Sequence, residues 1–392
     1  MKITRITLCP IEGRFHKFVA MNAGGAGHTG HKPAGITFTN VLIRIATDEG
    51  TEGIGVGAGR NDPEYQRALR SLIGANPLEI YEMEDGRVGN RLSPHAATLI
   101  KYPHLDGALL DLIGKLKGVP CWKLLGTKNL QQIPAYDSTL YFSDIWFRDR
   151  GTRAVVEEAE ESFKKGYTAL KVKVGRGLEW MDADAGLERD LEVLRAVRKL
   201  GGPAVTIMAD DNNAFADDFP RAWKFLRQTT DIDLYWIEEI FPESVREYSR
   251  LKDLIARAGL KTRVADGENL REPEEFISYV QPRRLMDVLQ LDIRNGGILK
   301  CREVGRMADA AGGEARPHNW ASQLGGIMAM HLAKACPGVT GVEDDRSTCD
   351  ALIPNGYSFR GGFYTVPDSP GLSVAIDEKA YKKYQARETV LQ

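Results

Sequence analysis

The sequence predicts an α/β protein, a (β/α) barrel of modified TIM type with an α+β capping domain built from the N-terminal region and the C-terminal segment. Three observations predict it. From about residue 132 onward, short apolar runs alternate with longer amphipathic ones and the order never switches, which is the rhythm of βα units on a parallel sheet. About eight such units follow one another, enough to close a barrel. The residues before them keep a different rhythm, of strands and then helices.

Taken in order, Met1 to about Leu8 and Thr39 to Ala46 (TNVLIRIA) read as strands, and TDEGTEGIGVGAG after the second reads as a hairpin, giving a small antiparallel sheet. Between the strands lies MNAGGAGHTGHKPAG, Met21 to Gly35, a glycine-rich stretch punctuated by His28, His31 and Lys32 that reads as a loop long enough to be functional. From Pro63 to Leu125 the apolar spacing is mainly helical, and ALLDLIGKLKGVPCWKLLG ends on a glycine stop. Then come the strand–helix pairs: IPAYDSTL before VVEEAEESFKKG, ALKVKV before LERDLEVLRAVRKLG, AVTIMAD before FPRAWKFLRQT. YWIEEIF, TRVADGE, MDVLQLD and GGEARPHNW continue the series. After Tyr357, turn signals and short strand-like runs read as a return across the capping domain. The expected division is residues 1–130 for capping, 131–356 for the barrel and 357–392 for the returning segment.

Composition removes several classes of function. The 392 residues exceed what one ordinary core supports, consistent with a large barrel plus an accessory domain. With 52 basic against 54 acidic residues, a formal net of −2, there is no basic excess and no nucleic-acid partner is expected. No run of eighteen apolar residues and no signal-type apolar core occur, so no membrane partner is expected either. Five scattered cysteines (Cys9, Cys121, Cys301, Cys336, Cys349) without ligand spacing suggest reduced thiols and a cytoplasmic protein.

Chemistry in such barrels sits at the carboxyl ends of the strands, and there the apolar runs end in polar residues. ALKVK supplies Lys171 and Lys173, MADDN Asp210 and Asn212, WIEE Glu238 and Glu239, VADGE Asp266 and Glu268, LQLD Asp292, RPHN His318, and GVEDD Glu343. In a strand, Lys171 and Lys173 project from one face and need something negative there. Three successive strand ends each bearing a carboxylate would repel one another in a dry barrel mouth unless a cation held them. Asp210, Glu238 and Glu268 therefore read as a divalent metal site. With hard oxygen ligands and no Cys or His, the set favours Mg²⁺, with Mn²⁺ possible, over Zn²⁺. Strand alternation lets one of Glu238 and Glu239 face inward, and Glu238 is favoured; Asp211 is given to the loop. Arg294, Asn319 and Trp320 lie near the presumed mouth, and the polar groups there suit a small-molecule carboxylate, a polyhydroxylated acid more than an aromatic one. A distal carboxylate of such an acid would meet Lys32 or a histidine.

The KxK lysines, the carboxylates of MADDN, WIEE and GEN, the late Asp and His, and the DLIGKLKGVPCWKLLG stretch, in this order, resemble the enolase superfamily and within it the mandelate racemase subgroup. The resemblance implies that Mg²⁺ binds a substrate carboxylate, a base removes the adjacent proton, and the metal stabilises the resulting enediolate. It implies that Lys171 supports the negative charge and that Lys173, its pKa lowered by cationic neighbours and the metal, is one acid/base. His318 would be the other, with Asp292 fixing its tautomer. Glu343 resembles a late glutamate that donates a hydrogen bond to the substrate carboxylate and so carries or shares a proton, and Asn212 would contact substrate. Asp292 stands four residues before Gly296, one fewer than the commoner family spacing, which would shift its carboxylate. Asp266 has no assigned partner; Lys171, Arg294 or a deeper structural ion pair are the options.

The residues support dehydration of an acid sugar, an aldonate or aldarate, to a 2-keto-3-deoxy acid. Racemisation or epimerisation of a 2-hydroxy acid uses the same pair of bases, and a non-catalytic barrel binding a metal and a sugar acid is the third reading. Muconate-cycloisomerase chemistry is disfavoured because no lysine precedes the glycine pair of LQLDIRNGG, and Arg294 stays protonated. The resemblance also implies a homo-oligomer, a dimer or an octamer.

Overall fold

The structure, a computed structural model, describes all residues except 26–31, 58–61 and 94–96. The N-terminal sheet is built from β1 (Ile3–Val19), β2 (Gly35–Thr47) and β3 (Glu52–Gly57), antiparallel, with the C-terminal strand Thr389–Leu391 on the outer edge of β1. β1 runs well past its expected end at Leu8, because its alternation of buried and exposed residues continues through Gly13 and Phe15 while β2 pairs it. Helix Asp106–Lys117 lies on this sheet at Gly53 and Gly55, where a Cβ would fall within 2.6 Å of the helix backbone at Ala108. The long helical stretch expected up to Leu125 is two helices, because Gly118 takes a left-handed conformation (φ 66°) and caps the first; a short second one, Cys121–Leu125, follows.

A hairpin interrupts the region expected to be helical. β4 (Tyr81–Glu84) and β5 (Arg87–Leu92) pair across Asp85 and Gly86, both at positive φ (48° and 78°), the conformation an Asp-Gly pair adopts in a two-residue hairpin turn.

The barrel strands are β6 (Ile133–Leu140), β7 (Ala169–Lys173), β8 (Thr206–Asp210), β9 (Trp236–Glu238), β10 (Arg263–Asp266), β11 (Val288–Leu289), β12 (Glu314–Ala315) and β13 (Val342–Asp344). Each pairs in parallel with the next as far as β12, β13 pairs in parallel with β6, and a bridge from Ala315 to Val339 completes the ring. Helices follow β6 to β12 in turn, the interval between Glu238 and Glu268 holding Val245–Arg257. After β13 short strands take the place of an eighth helix, which is the modification of the barrel pattern. β11 and β12 are shorter than the apolar runs suggest, yet their backbones remain tied: Arg316 N–H reaches Leu289 O at 3.0 Å, and Ile293 N–H reaches His318 O at 3.0 Å. Inside the ring, Tyr136, Met208, Trp236, Ala265 and Val288 form an apolar floor beneath the carboxyl ends of the strands.

The helix after β11, Ile293–Ala310, contains a break. Gly297 sits at φ 75°, and Asp106 of the N-terminal layer accepts hydrogen bonds from Ile298 N–H (2.9 Å) and Leu299 N–H (2.8 Å) just beyond it. The helix is thus started twice, by the Asp292 side chain and again by Asp106. All five cysteines are buried and unpaired. Among the described residues no helix is long and apolar enough to cross a membrane.

Candidate active site

Above the floor, strand register aligns Lys173, Asp210 and Glu238 at one level of β7, β8 and β9. Lys171, one inward position deeper, is almost fully buried and sits among three carboxylates: Glu238 Oε1 at 2.5 Å, Glu343 Oε1 at 2.8 Å and Asp210 Oδ2 at 3.0 Å. An ammonium has three hydrogens, and here each has an acceptor. Lys173 Nζ meets Asp210 Oδ2 at 2.5 Å and stands 5.3 Å from the centre of the Tyr141 ring. The two lysines of ALKVK are therefore answered by carboxylates from three other strands.

Charge states follow from these pairings. Burial disfavours both ammonium groups, but the carboxylates around Lys171 and the Asp210 partner of Lys173 outweigh it, and both lysines are held above their ordinary range. The lowered Lys173 that the resemblance implies depends on a metal as well as on cationic neighbours; from the protein's own groups its nearest partner is an anion, and the cationic Lys171 is a smaller influence. For Glu343 the resemblance implies a carried or shared proton against a substrate carboxylate. Burial pushes this glutamate up, yet Lys171 and His318 hold it below its ordinary value, so it stands as a carboxylate, its Oε2 accepting Asn319 N–H at 3.0 Å. Burial also pushes up Glu238, but its two oxygens take three N–H donors (Lys171, Trp236, Gln290), a set that only the ionised form satisfies.

The second group forms where β11 and β12 end. His318 Nδ1 bonds Asp292 Oδ2 at 2.7 Å, and its Nε2 lies 3.4 Å from Glu268 Oε2. Burial lowers the imidazole's pKa, but Glu268, Glu343 and Asp292 together raise it to about 10. The shortened spacing to Gly296 does not separate the dyad, because Asp292 caps the first turn through Arg294 and Asn295 N–H with one oxygen and keeps the other for His318 and Arg294 (3.0 Å).

A cavity of about 310 Å³ opens above both groups, lined by Lys171, Lys173, Asn212, Glu268, His318 and Glu343 with Arg294 and Trp320. Lys32 lines it as well, from the N-terminal sheet side, with Asn22 and Tyr141. His28 and His31 lie outside the described residues. Asn212 reaches the cavity, but its amide nitrogen donates to Glu239 Oε2 at 2.7 Å. Glu239 itself, at φ 49°, turns away from Lys171 and also takes Asn269 Nδ2 at 3.0 Å, so the two glutamates of WIEE serve different neighbours. Asp266 pairs with neither Lys171 nor Arg294; it takes the Tyr248 hydroxyl and its neighbour Gly267 N–H at 2.6 Å. Asp211 is buried and accepts Phe215 N–H at 3.0 Å.

Three residues of the site went unnoticed in the sequence. Gln290 donates to Glu238 Oε2 at 2.9 Å and Trp236 to the same oxygen at 3.0 Å, while Tyr141 lies beside Lys173. Gln290 had a signal, as a lone polar residue two before Asp292 in an apolar run; Tyr141, just beyond IPAYDSTL, had none.

The carboxylates Asp210, Glu238 and Glu268 offer oxygen alone, the donor chemistry that Mg²⁺ takes. Asp210 and Glu238 already converge on one cation, the Lys171 ammonium, whereas Glu268 turns to His318. Among the described residues no group of three His, Cys, Asp or Glu side chains stands in position to hold a metal ion, the third carboxylate around Lys171 being Glu343 and not Glu268.

Residues 154–380 match the model of the enolase C-terminal domain-like family. Arabinonate dehydratase of Saccharolobus solfataricus is 27% identical over 286 residues, covering 72% of this chain and 71% of that protein. Galacturonate dehydratase from a Geobacillus species, solved with D-galacturonate and 5-keto-4-deoxy-D-galacturonate, superposes with a TM-score of 0.85 at 28% identity, over 100% of this chain and 99% of its own. A mandelate racemase/muconate lactonizing protein from Geobacillus, complexed with magnesium and tartrate, gives a TM-score of 0.84 at 28% identity, over 99% and 97% of the two chains. With more than half of its length matched and its whole length superposed on a galacturonate dehydratase, the chain belongs to the enolase C-terminal domain-like family, in the enolase superfamily.

Proposed function

We propose that the protein is a Mg²⁺-dependent hydro-lyase that dehydrates an acid sugar, an aldonate or aldarate, to a 2-keto-3-deoxy acid. The observation that carries the proposal is that Lys173 and His318, two proton-carrying side chains from separate strands, line one polar cavity beside a set of carboxylates suited to a hard cation. Its volume, about 310 Å³, suits a small polyhydroxylated acid. Dehydration breaks the Cα–H bond and the bond to the β-hydroxyl. In this reading Asp210, drawn away to a divalent cation, no longer holds the Lys173 ammonium, which releases its proton and, as the neutral amine, accepts the α-proton. His318, oriented by Asp292, gives a proton to the departing hydroxyl, which leaves as water, and the enol left behind tautomerises to the keto acid. A divalent cation bound by Asp210, Glu238 and Glu268 would offset the negative charge that builds on the substrate carboxylate as the Cα–H bond weakens. Lys171 would add to that positive charge, Glu343 would border the carboxylate, and Arg294, Lys32, Asn212 and Trp320 would hold the rest of the chain. The named activities of the arabinonate and galacturonate dehydratases support this reading.

The test is incubation with Mg²⁺ in D₂O against a panel of aldonates, aldarates and hexuronates, following keto-acid formation by semicarbazide absorbance and α-proton exchange by NMR. A 2-keto-3-deoxy product from one acid is the expected result. Exchange or inversion without keto acid would make the protein an epimerase instead. No turnover across the panel, with Mg²⁺ still bound, would favour a binding barrel.

A further inference from the structure

We infer that Gln290 fixes how Glu238 is presented and thereby which divalent cation the cavity prefers; the inference rests on the metal reading of Asp210, Glu238 and Glu268. Gln290 follows β11 directly, is 1% exposed, and gives its amide N–H to Glu238 Oε2 at 2.9 Å. Trp236, two residues before Glu238 on the same face of β9, gives its indole N–H to that same oxygen at 3.0 Å. Among the described residues the buried Gln290 carbonyl oxygen has no partner, so the donation to Glu238 is what orients the amide. The outcome is a division of labour within one carboxylate. Oε2 is held by two neutral donors rooted in the barrel, while Oε1 faces the Lys171 ammonium at 2.5 Å.

A glutamate held this way offers a cation one oxygen and withholds the other. Mg²⁺ takes about six oxygens at roughly 2.0–2.1 Å in a near-octahedral shell, whereas Ca²⁺ takes about six to eight at roughly 2.3–2.6 Å and accepts a carboxylate through both oxygens. Restraining Oε2 therefore favours the smaller ion, and releasing it lets Glu238 rotate toward the two-oxygen mode that the larger ion accepts. Gln290 is a positioning residue in this scheme, because it acts through Glu238 and lines no part of the cavity itself.

The experiment uses the metals alone. Full-length wild type, Q290M and Q290L are stripped with chelator and titrated calorimetrically with MgCl₂ and separately with CaCl₂, and urea unfolding midpoints are recorded metal-free. Methionine keeps the length of the side chain and removes both the donor and the unpartnered acceptor, so the metal-free midpoint is expected to stay near wild type. Mg²⁺ affinity is expected to fall about tenfold, as removal of a hydrogen-bond partner of a metal ligand does, and Ca²⁺ affinity much less, so that the Mg²⁺/Ca²⁺ preference drops by about the same factor. A preference within about twofold of wild type in a variant that unfolds normally overturns the inference, since typical effects of such partners are larger. Loss of fold in both variants would also overturn it by assigning Gln290 to the core. Wild type that takes up neither ion would remove the metal reading and this inference with it. Metal uptake without turnover of any sugar acid would leave the titrations to decide the inference alone.

Discussion

His331 provides a stability test that rests on its burial and its hydrogen-bond partners. It lies in helix Gln323–Ala335, fully buried, with Nδ1 accepting Trp122 N–H at 3.2 Å and Nε2 bonded to the Tyr357 hydroxyl at 2.7 Å; that hydroxyl in turn donates to Leu372 O. The neutral Nε2–H tautomer satisfies every partner, whereas a proton on Nδ1 would face the Trp122 N–H. Burial accordingly lowers the imidazole to about 3. An unfolded histidine titrates near about 6.5. Below that pH the unfolded chain holds a proton that the native state refuses, so stability is complete above about 6.5 and falls as the pH drops toward the native value, at roughly 1.4 kcal/mol per unit. Between pH 7.5 and 5.0 the loss is about 2 kcal/mol. The assay is urea unfolding of wild type and H331Q at both pH values. Glutamine does not titrate, and contributions from other groups cancel in the difference, so the wild-type advantage should shrink by about 2 kcal/mol at pH 5.0. An advantage constant to within about 0.5 kcal/mol would refute the reasoning.

Three further outcomes follow from the site and its supports. K171M leaves Asp210, Glu238 and Glu343 buried without their shared cation and should lower stability by about 3 kcal/mol or more, read by metal-free urea unfolding. D292N keeps the helix cap but leaves His318 and Arg294 without their shared anion, so turnover of the substrate found in the panel should fall about a hundredfold and stability by about 3 kcal/mol; D292A should lose the cap as well, about 1 kcal/mol more. G297A places a Cβ 2.4 Å from Pro103 O at a positive φ and should cost at least about 1 kcal/mol, measurable as a lowered unfolding midpoint.

The residues ending each barrel run were legible because strand alternation and the barrel rule together name the inward position at the active end. Lys171, Lys173, Asp210, Glu238 and His318 all follow from that logic. What sequence could not carry was the balance of forces between residues distant along the chain. Whether Lys173 is raised or lowered depends on Asp210 Oδ2 lying 2.5 Å away, and Glu343 is ionised because Lys171 lies at 2.8 Å. The reach of Asp292 to His318 despite its spacing was equally hidden, since it depends on a helix starting at that residue. The hairpin of β4 and β5 is a different kind of miss. Its Asp-Gly turn was readable, but the surrounding apolar spacing suited a helix and obscured it.

The break at Gly297 makes the single turn bearing Asp292 a separate piece of backbone, bounded by its own cap on one side and by Asp106 on the other. Length changes in the loop before that turn can be absorbed without rotating the long helix behind it, because the helix begins again at a point fixed by the N-terminal layer. Asp106, nearly two hundred residues upstream and outside the cavity lining, thus fixes the far boundary of the turn whose capping residue holds His318. Altering the contact between the N-terminal helix and the barrel at this point would move Asp292 against His318 with no substitution among the cavity-lining residues.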